Sequence, residues 1–239
     1  MPDITSFQNN FSMPYGVAVR RGLYEDMTGI DKFGYLAVST TSFQTVWDGG
    51  STYAYPSSAV NMQVVSDESA DNGVEITIQG LDADYNQISE TVTLDDTDSA
   101  GAVQTTQQFL RVFRAFVANG TDITGDVTIS NGGTTYAKVL ALYQQTLMAV
   151  YTIPAGYRGY LVAGNLSVEK NQPVVAKLMV RRLGGVLRTT GLVTSFGVPF
   201  QRVWQLPPVI PEKSDIEIRA KAGATTSIAA GFEILLEKL

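Results

Sequence analysis

Asp82-Ala83-Asp84-Tyr85-Asn86 puts oxygen-bearing side chains at four of five consecutive positions. A hard divalent cation needs such a set, because it is held by several carboxylate and carbonyl oxygens at once. An EF-hand loop counted from Asp82 requires Gly at its sixth position and Glu at its twelfth, where the chain has Gln87 and Thr93. The run therefore reads as a polar turn whose side chains cap its own backbone. A second acidic cluster, Asp95, Asp96 and Asp98, offers the paired carboxylates a glycosidase uses. No aromatic platform accompanies it at any spacing that would form a sugar site, and it reads as a solvated loop. Histidine and cysteine are both absent, which removes imidazole acid/base chemistry, thiol nucleophiles, disulfides and nitrogen- or sulfur-bound zinc. No Gly-rich phosphate loop occurs, and a serine triad lacks its base. A Ser/Lys dyad stays compatible with the composition. The expectation is a protein without enzyme activity, metal or cofactor.

What remains could bind. Trp47 and Trp204 could stack on sugars, but each lies in a strand-like segment and is expected in a core. Arg181, Arg182 and Arg188 flank Gly184-Gly185, and two readings stand: a grip on an acidic surface, or an exposed hairpin tip. Phe7, Phe11 and Tyr15 are isolated aromatics on a segment rich in Gln, Asn, Ser and Pro. Residues 1–22 are read as an extended arm whose rings bury area on a neighbour; a frayed terminus is the alternative.

The elements that would carry these residues are strands. In Val74-Glu75-Ile76-Thr77-Ile78 and in Ile88 to Leu94 apolar and polar residues alternate. Period two puts Val74, Ile76 and Ile78 on one face and Ile88, Val92 and Leu94 on the matching one. Phe33–Val38, Phe43–Trp47, Phe109–Val117 and Val127–Ser130 continue the series, with a helix over Leu110–Ala118 as an alternative. Beyond Thr146, Ala176, Leu178 and Val180 form one inward row, Gly184-Gly185 reads as a two-residue hairpin turn, and Ile216, Ile218, Ile228, Ala230, Phe232, Ile234 and Leu236 form further inward rows. The predicted fold is all-β: an arm (1–22), an N-terminal β domain (23–145) and a C-terminal jelly-roll-like sandwich (146–239).

Charge divides the chain unevenly. Residues 1–148 hold 6 Lys or Arg against 17 Asp or Glu, and residues 149–239 hold 11 against 6, so the overall −6 joins an acidic part to a basic one. Solvated faces explain this, and so does an oriented protein with its basic part on an acidic partner. The acidic total argues against nucleic acid as a partner. No apolar stretch reaches the roughly 20 residues of a membrane helix, and the first residues lack the basic start and apolar middle of a secretory signal. Synthesis and retention in a cytoplasm are expected.

Several segments resemble a known group. Lys32-Phe33-Gly34, Thr45-Val46-Trp47-Asp48-Gly49-Gly50, Gly80-Leu81-Asp82 through Ser89–Leu94, Phe109-Leu110-Arg111-Val112 and Gln145 through Gly156 are similar to virion structural proteins of tailed bacteriophages. The resemblance runs by motif from residue 32 to about 160 and by pattern beyond. It implies a virion component made in the host cytoplasm, acting as a capsid decoration (cement) protein or as a tail, neck or baseplate fibre part. It further implies a homo-oligomer, with a trimer expected, whose partners are itself and the major capsid protein or other virion proteins. No catalytic residue comes with it.

Overall fold

Alternation organises the end of the chain first. In β16 (Asp215–Ala222) Ile216, Ile218 and Ala220 turn to one side, and in β17 (Thr226–Lys238) Ile228, Ala230, Phe232, Ile234 and Leu236 do the same. All are buried in one cluster, and each large aliphatic or aromatic side chain so placed contributes about 1.5–3 kcal/mol relative to exposure. The computed structural model describes residues 14–38, 41–95, 102–118 and 120–239. Phe7 and Phe11 lie outside them.

β17 is the centre of one sheet. β1 (Met27–Val38) pairs with it antiparallel from Met27↔Glu237 to Val38↔Thr226, and β11 (Tyr157–Val168) lies on its other side. β14 (Phe200–Val203) and β15 (Val209–Ile210) both pair with β11 and form one interrupted outer position. In the facing sheet, β16 is flanked by β12 (Pro173–Arg181), which is followed by the edge strand β13 (Arg188–Phe196). On its other side β16 pairs with β2 (Gln44–Thr45) and β10 (Val150–Thr152), again one position shared by two short strands. Numbered by position along the chain, the sheets read 1-8-3-6 and 2-7-4-5. That order is two Greek keys, the jelly roll.

The second position of the jelly roll is cut open, and a β lobe is inserted in the cut. It comprises β3 (Val60–Ser66), β4 (Glu75–Leu81), β5 (Gln87–Thr93), β6 (Val103–Phe109), β7 (Arg111–Val117), β8 (Val127–Asn131) and β9 (Thr134–Val139). Its sheets, β6-β3-β8-β9 and β5-β4-β7, close over Met62, Val64, Ile76, Ile78, Phe109 and Ile129. Chain enters and leaves side by side: Trp47 bridges Met148, Ala149 donates to Val46 O at 2.9 Å, and Val46 donates to Ile218 O at 2.8 Å. Gly34 permits this neck, since a Cβ there would overlap the carbonyl oxygen of Val46 and the amide nitrogen of Ala149.

Several expectations change. The boundary at residues 145/146 does not describe the sheets, because β1 and β2 belong to the jelly roll; alternation reports which face is buried and is silent on which strand is the partner. The arm is not extended throughout: Tyr15–Arg20 forms a short helix, α1, with Ala18 and Val19 buried and Pro14 accepting from Val17 and Ala18. Arg111–Val117 is a strand, so the helical alternative falls. Gly184-Gly185 is not a two-residue turn; pairing resumes only at Val180↔Arg188, and Gly185 donates to Arg182 O inside a longer loop. The β4–β5 hairpin follows the alternation, with Ile76↔Val92 in register.

Candidate functional site

Two regions concentrate unusual side chains: the junction between the lobes, and the far edge of the jelly roll. At the junction, Asp215 stands on the face of β16 opposite Ile216, a position alternation assigns to solvent. The inserted lobe covers it. Arg111, from β7, donates Nε to Asp215 Oδ1 at 2.7 Å and Nη2 to Oδ2 at 3.2 Å, and its Nη1 reaches the carbonyls of Pro56 and Leu110. Arg181, paired with Asp215 in the ladder, donates Nε to Oδ2 at 2.8 Å, and Thr152 Oγ1 donates to Oδ1 at 2.7 Å. The Tyr55 ring lies 5.1 Å from the Arg111 guanidinium and 4.4 Å from that of Arg181. Burial opposes the charge on Arg111, and the Asp215 bond and charge outweigh it, raising its pKa. Next along, buried Glu217 accepts from Arg219, from Tyr55 OH at 3.3 Å and from Thr45 Oγ1 at 3.4 Å, and burial pushes its pKa up despite them.

Chemically this is a clamp. Asp215 accepts from both guanidiniums and from Thr152, so the arrangement ties the inserted lobe to the jelly roll. On the other side of the neck, Lys32 of β1 donates Nζ to Phe113 O of β7. Burial, reinforced by Arg114, pushes the Lys32 pKa down to about 7. Asp48 accepts from the Leu147 amide at 2.8 Å, and burial raises its pKa to about 7.

The edge is different. β13 and β14 end their respective sheets on the same side of the sandwich, and residues 182–209 include nine exposed large apolar side chains, among them Leu192, Phe196, Val203 and Leu206. This segment carries three arginines and no Asp or Glu. Edge strands are ordinarily protected by Lys, Pro, inward charge or a cover; within β13 only Arg188, at its start, is charged. A cleft of about 450 Å³ opens beside it, walled by Val180, Val186, Trp204 and Val209 and rimmed by Arg182 and Arg188.

The residues picked from sequence are thus separated. Arg182 and Arg188 share the cleft, whereas Arg181 is bonded to Asp215 in the clamp, because alternation turns adjacent arginines to opposite faces. Tyr15 sits on α1, its OH donating to Met27 Sδ at 2.9 Å and its ring 5.3 Å from that of Tyr24. Trp47 is a core residue with Nε1 donating to Ser51 O, and Trp204 is half-buried under Arg202. Asp82 caps its own turn, accepting from the amides of Asp84 and Asn86 at 2.9 and 2.8 Å. Sequence reasoning missed Asp215, Glu217 and Arg111; the signal was Arg111 and Glu217 set between apolar residues, and Asp215 beside Ile216, in strands rich in buried positions.

No family model matches the chain, and no curated protein matches it. Among solved structures, the VP2 subviral particle of infectious bursal disease virus is 10% identical over 89% of this chain and 71% of that chain, with a TM-score of 0.24. A Gx-strain structure of the same virus gives 10%, 89%, 71% and 0.23, and its T=1 particles give 11%, 89%, 73% and 0.19. Superpositions this loose distinguish neither fold nor function.

Proposed function

We propose that the chain is a virion structural protein of a tailed bacteriophage, a capsid decoration protein that binds the assembled shell and bridges neighbouring subunits. The observation that carries this reading is the bare edge: a jelly roll whose last third presents an apolar, acid-free strip has a surface that is incomplete until something covers it. The similarity of residues 32–160 to phage virion proteins supports the same reading, and jelly rolls recur in viral shells as well as in lectins and cupins; fold alone does not choose among them. In this role the rigid clamp matters, because a bridging part transmits load only if its lobes keep their angle. The protein performs no reaction, works as a homo-oligomer, a trimer in the preferred reading, and gains strength by repetition, each contact adding to many others.

Copy number tests it. Quantitative mass spectrometry of purified particles, with the major capsid protein as the internal standard, is expected to return hundreds of copies per particle. On the order of a dozen would overturn decoration in favour of a tail, neck or baseplate part. Release of reducing sugar from host envelope polysaccharide would contradict the non-enzymatic reading.

A further inference from the structure

We infer that the bare edge receives the Leu142 turn of a second copy of this chain, so that copies associate head to tail. This deepens the oligomeric part of the proposed function and can fail without the virion reading failing.

The knob is the turn that follows β9. Leu142 is 87% exposed and Tyr143 42%, yet the backbone beneath them is fixed: Tyr143 and Gln144 both donate to Leu140 O, and Gln144 adopts φ 56°. The Gln144 side chain accepts from the Ile123 amide at 2.9 Å and donates to Ala141 O, while Ala141 donates to Asp126 Oδ1 at 3.1 Å. An exposed apolar side chain on a preorganised turn loses little freedom on docking. Its surroundings are acidic. Asp122 and Asp126 lie on the neighbouring loop, Asp67 accepts from the Asp126 amide, and Asp71 ties that loop down through Thr124 and Gly125. Lys138 is paired with Asp126 at 2.8 Å, and Arg114 lies on the other flank, its Nη2 3.5 Å from Gln145 Oε1. Residues 48–147 as a whole hold thirteen Asp or Glu and three Lys or Arg.

The receptor has the opposite character. The cleft beside β13 is apolar within, and Arg182 and Arg188 form its rim; among the described residues neither has an ion-pair partner. Docking the edge onto the same edge of another copy would set Arg182, Arg188 and Arg202 against their equivalents, a like-charge juxtaposition that disfavours association. Docking it onto the acidic turn pairs charge with countercharge around an apolar centre, the usual anatomy of a specific interface. Because knob and cleft are different surfaces of one chain, the contact is heterologous and closes into a ring if the rotation permits.

The test is sedimentation velocity on the full chain and on Leu142→Asp and Val186→Asp, whose sites are exposed and whose thermal unfolding should match the parent. The parent is expected to associate, each variant to associate at least about tenfold more weakly, and an equimolar mixture of the two to form a dimer through its one intact knob-and-cleft pair. A parent that stays monomeric at high concentration, a Leu142→Asp protein that associates like the parent, or a mixture without dimers overturns the inference. High copy number on particles together with a monomeric chain would sink this inference and leave the virion reading standing.

Discussion

The junction and the edge are built from the same residue types to opposite ends. At the junction Arg111 is buried, aromatic-stacked and hydrogen-bonded to Asp215; at the edge arginine rims an apolar strip open to solvent. The difference shows where stability and adhesion are assigned. A buried ion that loses its partner destabilises strongly, because the remaining charge keeps its burial without its compensation. An exposed arginine does almost nothing for the fold, which leaves it free to be spent on a partner.

The comparison breaks most visibly at Arg111. Arg111→Ala leaves Asp215 with Arg181 and Thr152 only, and is expected to lower stability by about 3–5 kcal/mol in urea unfolding, with the inserted lobe melting separately from the jelly roll. Arg188→Ala, by contrast, should shift the midpoint by less than about 0.5 kcal/mol; equal effects would erase the distinction. Next in size is Gly34→Ala at the neck, where overpacking against backbone should cost about 1–3 kcal/mol.

The neck also titrates. The Lys32 pKa falls from an ordinary 10.5 to about 7 on folding, so between those values the unfolded chain binds the extra proton and stability rises with pH. The Asp48 pKa rises from 3.8 to about 7, so over that range the folded chain binds the extra proton and stability falls as pH rises. Lys32→Met removes the alkaline limb alone. The stability of the parent relative to this variant should climb between about pH 7 and pH 9 by at most about 1.4 kcal/mol per pH unit, read from urea midpoints; a flat difference would mean that Lys32 is solvated. The smallest effect is at Leu206, 88% exposed: Leu206→Ser should leave unfolding unchanged within about 0.5 kcal/mol.

Faces were legible in the sequence and partners were not. Ile76 and Ile78, or Phe232 and Ile234, declare an inward side through period two alone, and the rows predicted for β16 and β17 are the core found. That β1 pairs with β17, some two hundred residues later, is written in no local pattern. The same gap explains the junction. Asp215 and Glu217 occupy outward positions, and their burial depends on Tyr55 and Arg111, which are distant in sequence and brought over them by the insertion. Arg181 and Arg182 look alike as neighbours, and only the ladder contact Arg181↔Asp215 separates a clamp residue from a cleft residue.

Amide hydrogen exchange across Arg188–Val203 tests most directly whether the bare edge is a surface waiting to be covered. In the dilute chain the outward amides of these strands, those not bonded to β12 or β11, should exchange rapidly, and in purified particles they should slow by at least about tenfold, while amides of β16 and β17 stay protected in both. Equal exchange of β13 and β14 in the free and particle-bound states would contradict the account.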